Sequence, residues 1–295
     1  VSVAVVTDST AYLPSEITDA LRIAVVPLHV VVAGRSYAEG REIGTAEVAD
    51  ALRAFRPVST SKPSAGEFLD IYEKAAADGA DEIVSIHISG SMSATVSSAQ
   101  LAATDSPVPV TVVDSRSLGM AMGFAAMSAA QVAAAGGTSA QVVEAARTRA
   151  LSGTTMFYVD TLEHLRRGGR IGKASALLGS ALSIKPLLQL VDGQIEPLER
   201  VRTTSKALAR LEERLVAAVE EMEAPLGIDI AVHHLDSEAR AKDLQQRLRD
   251  RLPTARSVLL VEVGAVVGAH VGPGMLAVAA SARTGIAPVI GAAHM

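Results

Sequence analysis

Four short polar segments hold the residues able to do chemistry in an otherwise aliphatic chain of 295 residues. Thr60-Ser61-Lys62-Pro63-Ser64 sets two hydroxyls ahead of a proline, which biases its predecessor toward extended backbone, and Ser64 is suited to cap a following helix. Ser89-Gly90-Ser91-Met92-Ser93-Ala94-Thr95 follows a strand-like run and opens a helix-like one. Short hydroxyls and backbone N–H groups are therefore expected to converge where a helix dipole favours an anion, carboxylate or phosphate. Leu165-Arg166-Arg167-Gly168-Gly169-Arg170-Ile171-Gly172 carries three guanidiniums in five positions, which need water, a carboxylate or a phosphate as partners. Gly268-Ala269-His270-Val271-Gly272-Pro273-Gly274 reads as a Gly/Pro loop after an apolar strand, with one histidine where the backbone can approach a ligand closely.

Spacing limits what these segments can be. There is no G-x-G-x-x-G, no G-K-[ST] and no G-x-S-x-G, and no histidine pair has metal-ligand spacing, so no bound metal and no cofactor is expected. Two enzymatic readings remain open from the residues alone. One is a serine hydrolase acting on acyl esters, with Ser93 as nucleophile, His270 as base and Asp8 or Asp114 as orienter. The other is a nucleotide- or sugar-phosphate-binding enzyme using the 89–95 segment, with Arg170 as clamp.

The elements that must position these segments follow from periodicity. Short β-branched runs at 3–6, 83–86 and 109–113 read as buried parallel strands, and 46–54, 64–78 and 95–103 as the helices between them. Residues 24–37 read as a small hairpin excursion. The alanine-rich 118–135 segment contains Gly119, Gly123, Ser128 and Gln131 and reads as a closely packed core helix, so no stable membrane insertion is expected. Beyond 153 the texture changes: a strand at 156–159, a helical stretch near 174–182, and a hairpin whose arms flank Asp192-Gly193. Strands at 229–232 and 257–263 bracket a charged helix over 237–252. The expected architecture is an N-terminal α/β domain with a mainly parallel sheet (1–152) and a C-terminal α+β domain with a mainly antiparallel sheet (153–295). With 49% hydrophobic residues but only 3% aromatics, any ligand cavity is expected to be aliphatic. A net charge of −5 argues against nucleic acid as partner, and the absence of cysteine and of an export signal fits a cytoplasmic protein.

Taken in order, the segments resemble the DegV family across almost the whole chain. The resemblance runs through Val5-Val6-Thr7-Asp8-Ser9-Thr10, Val26-Pro27-Leu28, Glu39-Gly40, Thr60-Ser61-Lys62-Pro63-Ser64, the 89–95 segment and Val113-Asp114-Ser115. It continues through Gly168-Gly169-Arg170-Ile171, Lys185-Pro186, Asp192-Gly193, Arg202-Thr203 and Gly268-Ala269-His270 with Gly272-Pro273-Gly274. It implies a monomeric lipid-binding protein, without catalysis of its own, that buries one long-chain fatty acid in an aliphatic tunnel between its two domains. In the fatty-acid kinase systems of this family, such a subunit presents the carboxylate to a separate, dihydroxyacetone-kinase-like, ATP-dependent subunit. That subunit makes acyl phosphate for phospholipid synthesis. By motif position Thr60, Ser93 and His270 would hold the carboxylate, with Ser61 beside them, and Arg170 would face the kinase. Lys62 stands where the family commonly has Gln, and Ala94 where it commonly has Gly.

Overall fold

The computed structural model describes residues 1–177 and 184–284. In chain order the first half runs β1 (Val3–Asp8), a 3-10 turn (Ser9–Ala11), α1 (Ser15–Leu21), β2 (Ile23–Val26), β3 (His29–Val32), β4 (Arg35–Ala38), α2 (Thr45–Arg53) and β5 (Val58–Ser61). It continues with α3 (Ala65–Ala77), β6 (Glu82–His87), α4 (Thr95–Ala103), β7 (Val110–Asp114), α5 (Met120–Ala134) and α6 (Ser139–Leu151). The second half runs β8 (Gly153–Tyr158), α7 (Glu163–Arg167), a 3-10 helix (Gly172–Leu177), β9 (Lys185–Val191), β10 (Gln194–Val201) and α8 (Thr204–Glu220). It ends with β11 (Ile228–His234), α9 (Glu238–Arg251), β12 (Ser257–Glu262), α10 (Ala265–Val271) and β13 (Leu276–Ala282).

The first sheet, in order β2-β1-β6-β7, is parallel throughout. Its strands are apolar on both faces because both are covered. Val3, Val5, Val84 and Ile86 pack against α5 and α6, while Val6 and Ile83, one residue out of phase, pack on Phe68, Tyr72 and Ala99 of α3 and α4. Apolar on every side, α5 is buried along almost its whole length, as expected of a core helix. Ser64 caps α3 by accepting from the Glu67 N–H, and the Glu67 carboxylate accepts from the Ser64 N–H at 2.8 Å.

The six-stranded sheet of the second half, in order β10-β9-β8-β13-β11-β12, is antiparallel except at β11/β12. Asp192 and Gly193 both have positive φ, as a two-residue hairpin turn requires, and a Cβ on Gly193 would overlap the Ser89 Oγ. One face of this sheet packs on Leu211, Leu215, Leu244 and Leu248 of α8 and α9. Its other face carries Phe157, Leu188 and Ala277 toward the first half of the chain, and α5 covers part of it through Met120 and Phe124. The halves are tied by a buried ion cluster in which the Asp229 carboxylate accepts from Arg149 of α6 at 2.6 Å and from Arg283 at 2.7 Å.

Several expectations need correcting. Residues 24–37 are not one excursion: Ile23–Val26 joins the parallel sheet, and the hairpin is β3–β4, turning at Ala33-Gly34. Thr60 lies in a strand, because Val58–Ser61 pairs antiparallel with β3 and makes a third sheet, β4-β3-β5. His270 sits on the short helix α10 and not in a loop. An apolar run of Val and Ala is helical there because Ala265, Val266 and Ala269 bury against Leu28, Val30 and Val48. The helix expected near 174–182 is a 3-10 helix to Leu177; residues 178–183 lie outside the described residues, as does His294.

Candidate functional site

A largely apolar cavity lies between the free face of the six-stranded sheet, α10 and the Ser89–Thr95 segment. The sheet contributes Thr155, Phe157, Leu190, His233 and Ala277; Val266, Val267 and Val271 come from or flank α10, and Leu28, Ile88, Met92 and Leu118 from the first half. Thr60, Ser61, Lys62, Ser93, Arg170 and His270 also line it. Residues more than two hundred positions apart in sequence thus form one polar patch on an aliphatic chamber.

The patch is built from three elements. Strand β5 brings Thr60, whose Oγ1 lies 2.8 Å from His270 Nε2. Ser93 closes the β6–α4 connection, with its Oγ 2.8 Å from the Thr95 Oγ1. Arg170 is exposed at the rim, donating from Nε to the Met92 carbonyl at 3.1 Å and from Nη1 to the Gly168 carbonyl at 2.7 Å. Lys62 donates from its Nζ to the Ser98 Oγ. Burial, and secondly the Arg170 charge, push the His270 imidazole down to about 4, so it is neutral near pH 7. Its Nδ1 has no partner among the described residues and faces Gly168, where a Cβ would overlap it.

Helix α10 is held from its N-terminal end. The Glu39 Oε1 accepts from the Val266 N–H at 2.7 Å, its Oε2 accepts from Ser9 Oγ, and Ser9 Oγ accepts from the Leu28 N–H at 3.0 Å. The Tyr12 hydroxyl accepts from the Val267 N–H at 3.3 Å. Only 6% of Glu39 is exposed, and burial, with the Asp8 charge adding to it, pushes its carboxyl up to about 7 against the pull of the Ser9 and Val266 bonds.

The serine-hydrolase reading loses its geometry here. Ser93 bonds to Thr95 and His270 to Thr60, so no nucleophile–base pair forms between Ser93 and His270. Asp8 instead accepts from His87 Nδ1 at 3.1 Å, and Asp114 accepts from the N–H groups of Gly90 and Arg116. An Asp8–His87–Ser85 row does exist, closed by Tyr72 donating to Ser85, but all four side chains are inaccessible and mutually satisfied. Within the 89–95 segment, the backbone N–H groups ahead of Ala94 are in use. Those of Ser89 to Ser93 bond to Ser117, Asp114 and Ser89 itself. Met92 and Ser93 of this segment line the cavity, and Thr95 opens α4 directly behind them.

Sequence reasoning passed over His233 and Thr155 on the cavity wall. Their signal was a period-two one: polar residues at cavity-facing positions of strands that otherwise hold buried side chains. Among the described residues no cluster of metal-ligating side chains occurs, and no helix is long and apolar enough to cross a membrane.

The family model described as "Uncharacterised protein, DegV family" matches residues 2–283. A DegV domain-containing protein of Streptomyces coelicolor is 54% identical over 281 residues, covering 95% of this chain and 99% of that one. Protein DegV of Bacillus subtilis is 34% identical over 282 residues, covering 94% and 98%. Among solved structures, a DegV family protein from Thermus thermophilus described for its fatty acid binding superposes with TM-score 0.89 at 33% identity, covering 96% of this chain and all of that one. The Bacillus subtilis DegV structure, described as a fatty acid binding protein, gives TM-score 0.87 at 32% identity, covering 96% and 99%.

Proposed function

The chain belongs to the DegV family, and from that membership and the cavity we propose that it binds a single long-chain fatty acid and presents the carboxylate to a separate ATP-dependent kinase subunit. The observation that carries this reading is the concentration of Thr60, Ser93 and His270 on one polar patch of an otherwise aliphatic chamber. A buried carboxylate is costly unless hydrogen-bonded, and the Thr60 and Ser93 hydroxyls, the former oriented by the neutral His270 imidazole, supply those bonds without a buried ion pair. In the tautomer with a proton on Nε2, His270 donates to Thr60, which frees the Thr60 hydroxyl proton for a carboxylate oxygen; Ser93 is available for the second oxygen, with Ser61 beside them. Burial at about 0.8 kcal/mol per CH₂ gives a sixteen-carbon tail on the order of 10 kcal/mol of gross transfer free energy, so the tail sets affinity and the patch sets orientation.

Arg170 at the rim is the residue we assign to the kinase-facing surface. Its side chain is exposed and bonded only to backbone carbonyls, so it can reach a partner without disturbing the chamber. The chain itself supplies no catalysis in this reading, and we divide it at 152/153, with the ligand between the two parts.

Protein purified from a bacterial host is expected to release fatty acid on denaturing extraction, at about one per chain by mass spectrometry after lipid loading. Stoichiometry far below that, with stabilisation by nucleotides instead, would refute the reading. Arg170→Ala is expected to keep fatty-acid affinity while lowering kinase-dependent acyl-phosphate formation; loss of binding would move Arg170 from the partner surface into the ligand site.

A further inference from the structure

A second cleft adjoins the chamber and shares Thr60, Arg170 and His270 with it. Beyond those three residues it is lined by Arg56, His164 and Arg167 together with apolar side chains of α2, β5 and α10, and among the described residues no carboxylate lines it. The segments that carry the arginines are fixed by their own backbone. The Arg56 N–H donates to the Ala51 carbonyl at 2.9 Å where α2 ends, and beyond α7 the Gly168 and Arg170 N–H groups donate to the His164 and Leu165 carbonyls at 2.9 and 3.0 Å. Arg167 shares the single Glu163 carboxylate with Arg166, whereas Arg56 and Arg170 enter no ion pair among the described residues. The cleft therefore holds positive charge in excess. Its imidazoles register that charge: burial first and then Arg167 lower His164, against an opposing pull from Glu163, and burial first and then Arg170 lower His270 to about 4.

A bare carboxylate carries one negative charge and is served by hydroxyls on the patch, so it leaves this excess unused. Guanidiniums grouped without a carboxylate of their own favour an anion with more charge and more oxygens, because each presents a planar fork of donors that matches phosphate. The place of the cleft suits such a group. Anything attached to the carboxyl end on the side away from the tail leaves the chamber past Thr60 and His270, and the cleft begins at those two residues.

We propose that Arg56 and Arg167 form a phosphate subsite in this cleft, so that the chamber takes an acyl chain headed by a phosphate in addition to one headed by a bare carboxylate. This rests on the fatty-acid reading and adds to it a pair of headgroup-selecting residues separate from the carboxylate patch. Arg170, which borders both spaces, stands between the two.

The test uses the full chain, stripped of lipid, and compares hexadecanoic acid with 2-oxoheptadecylphosphonate, in which a methylene replaces the bridging oxygen of the acyl phosphate and resists hydrolysis. Competition against a fluorescent fatty acid gives the affinity of each. The ratio of phosphonate to hexadecanoic acid affinity is expected to fall about 3- to 10-fold in Arg56→Gln and in Arg167→Gln, below the range for a buried charged hydrogen bond because both side chains meet solvent. Hexadecanoic acid affinity is expected to stay at the wild-type value in both. Arg147→Gln, an exposed position on α6 outside the cleft, removes the same charge and is expected to leave the ratio unchanged. An unchanged ratio in the two cleft variants, an equal fall in Arg147→Gln, equal losses of both ligands, or a phosphonate that wild type does not bind overturns the inference and leaves the fatty-acid reading standing. Inorganic phosphate that raises hexadecanoic acid affinity in wild type but not in Arg56→Gln would assign the cleft to free phosphate and overturn the acyl-borne one. Failure of hexadecanoic acid itself to bind wild type refutes the fatty-acid reading and the inference with it.

Discussion

Replacing Glu39 with Gln tests how helix α10 is held. In the folded chain burial pushes this carboxyl up to about 7, whereas the unfolded value is 4.5. Between those two values the native state keeps a proton that the unfolded state has lost. Stability therefore falls as pH rises through that window, by about 1.4 kcal/mol per pH unit, or about 3 kcal/mol across it. With 6% of the residue exposed, little of this is screened by solvent. A glutamine is neutral at every pH, and its amide oxygen can still accept from the Val266 N–H while its amide N–H meets Ser9 Oγ. Urea unfolding at intervals from about pH 5 to about pH 8 is expected to show a declining stability for the parent that is shallower in Glu39→Gln by about that amount. The variant then gains on the parent toward the alkaline end. Parallel pH profiles for the two proteins would refute the assignment of a buried, proton-retaining carboxyl at the foot of α10.

Other outcomes follow from the same contacts. Thr60→Val and His270→Ala are each expected to weaken fatty-acid binding about 10- to 100-fold, the range for hydrogen bonds to a charged group, and their double variant by less than the product because the two side chains bond to each other. Gly168→Ala is expected to weaken binding about as much as His270→Ala, since its Cβ displaces the imidazole; unchanged affinity in a displacement assay would contradict the placement of that ring. Asp229→Asn is expected to cost about 3–5 kcal/mol in denaturant unfolding, because it leaves the Arg149 guanidinium buried without its counter-charge. Hydrolysis of p-nitrophenyl esters is expected to stay at background with or without Ser93→Ala, and turnover that vanishes in the variant would restore the hydrolase reading.

The parallel strands and their helices were legible because buried β-branched runs and Ala/Leu/Glu spacing report directly on local geometry, and Asp192-Gly193 because few residues tolerate two consecutive positive φ angles. Strand β5 was not: Val58-Ser59-Thr60-Ser61 has one apolar residue, and only pairing with β3 makes it extended. Helix α10 was misread because Val263 to Val267 is equally good as the end of a strand, and the choice is made by Leu28, Val30 and Val48 from the far end of the sequence. Strand β13, rich in alanine, and helix α8 left no expectation at all. For the site, Thr60, Ser93, Ser61, Arg170 and His270 all reach the one chamber, but that convergence came from family resemblance. Glu39 and His233 owe their environments to partners over one hundred positions away, which no local pattern announces.

The 2.8 Å contact between Thr60 and His270 spans 210 positions of sequence. During synthesis, β5 and the Ser93 turn leave the ribosome long before α10, and the first half can fold while the rest is still being made. Until α10 docks on Leu28 and Val30, the chamber lacks one wall and its polar patch lacks the imidazole. The sheet that floors the chamber is completed later still, because β13, which lies between β8 and β11, follows α10 in the chain. A chamber closed on every side is thus a property only of a chain made through β13, whose Ala277 lies on its wall.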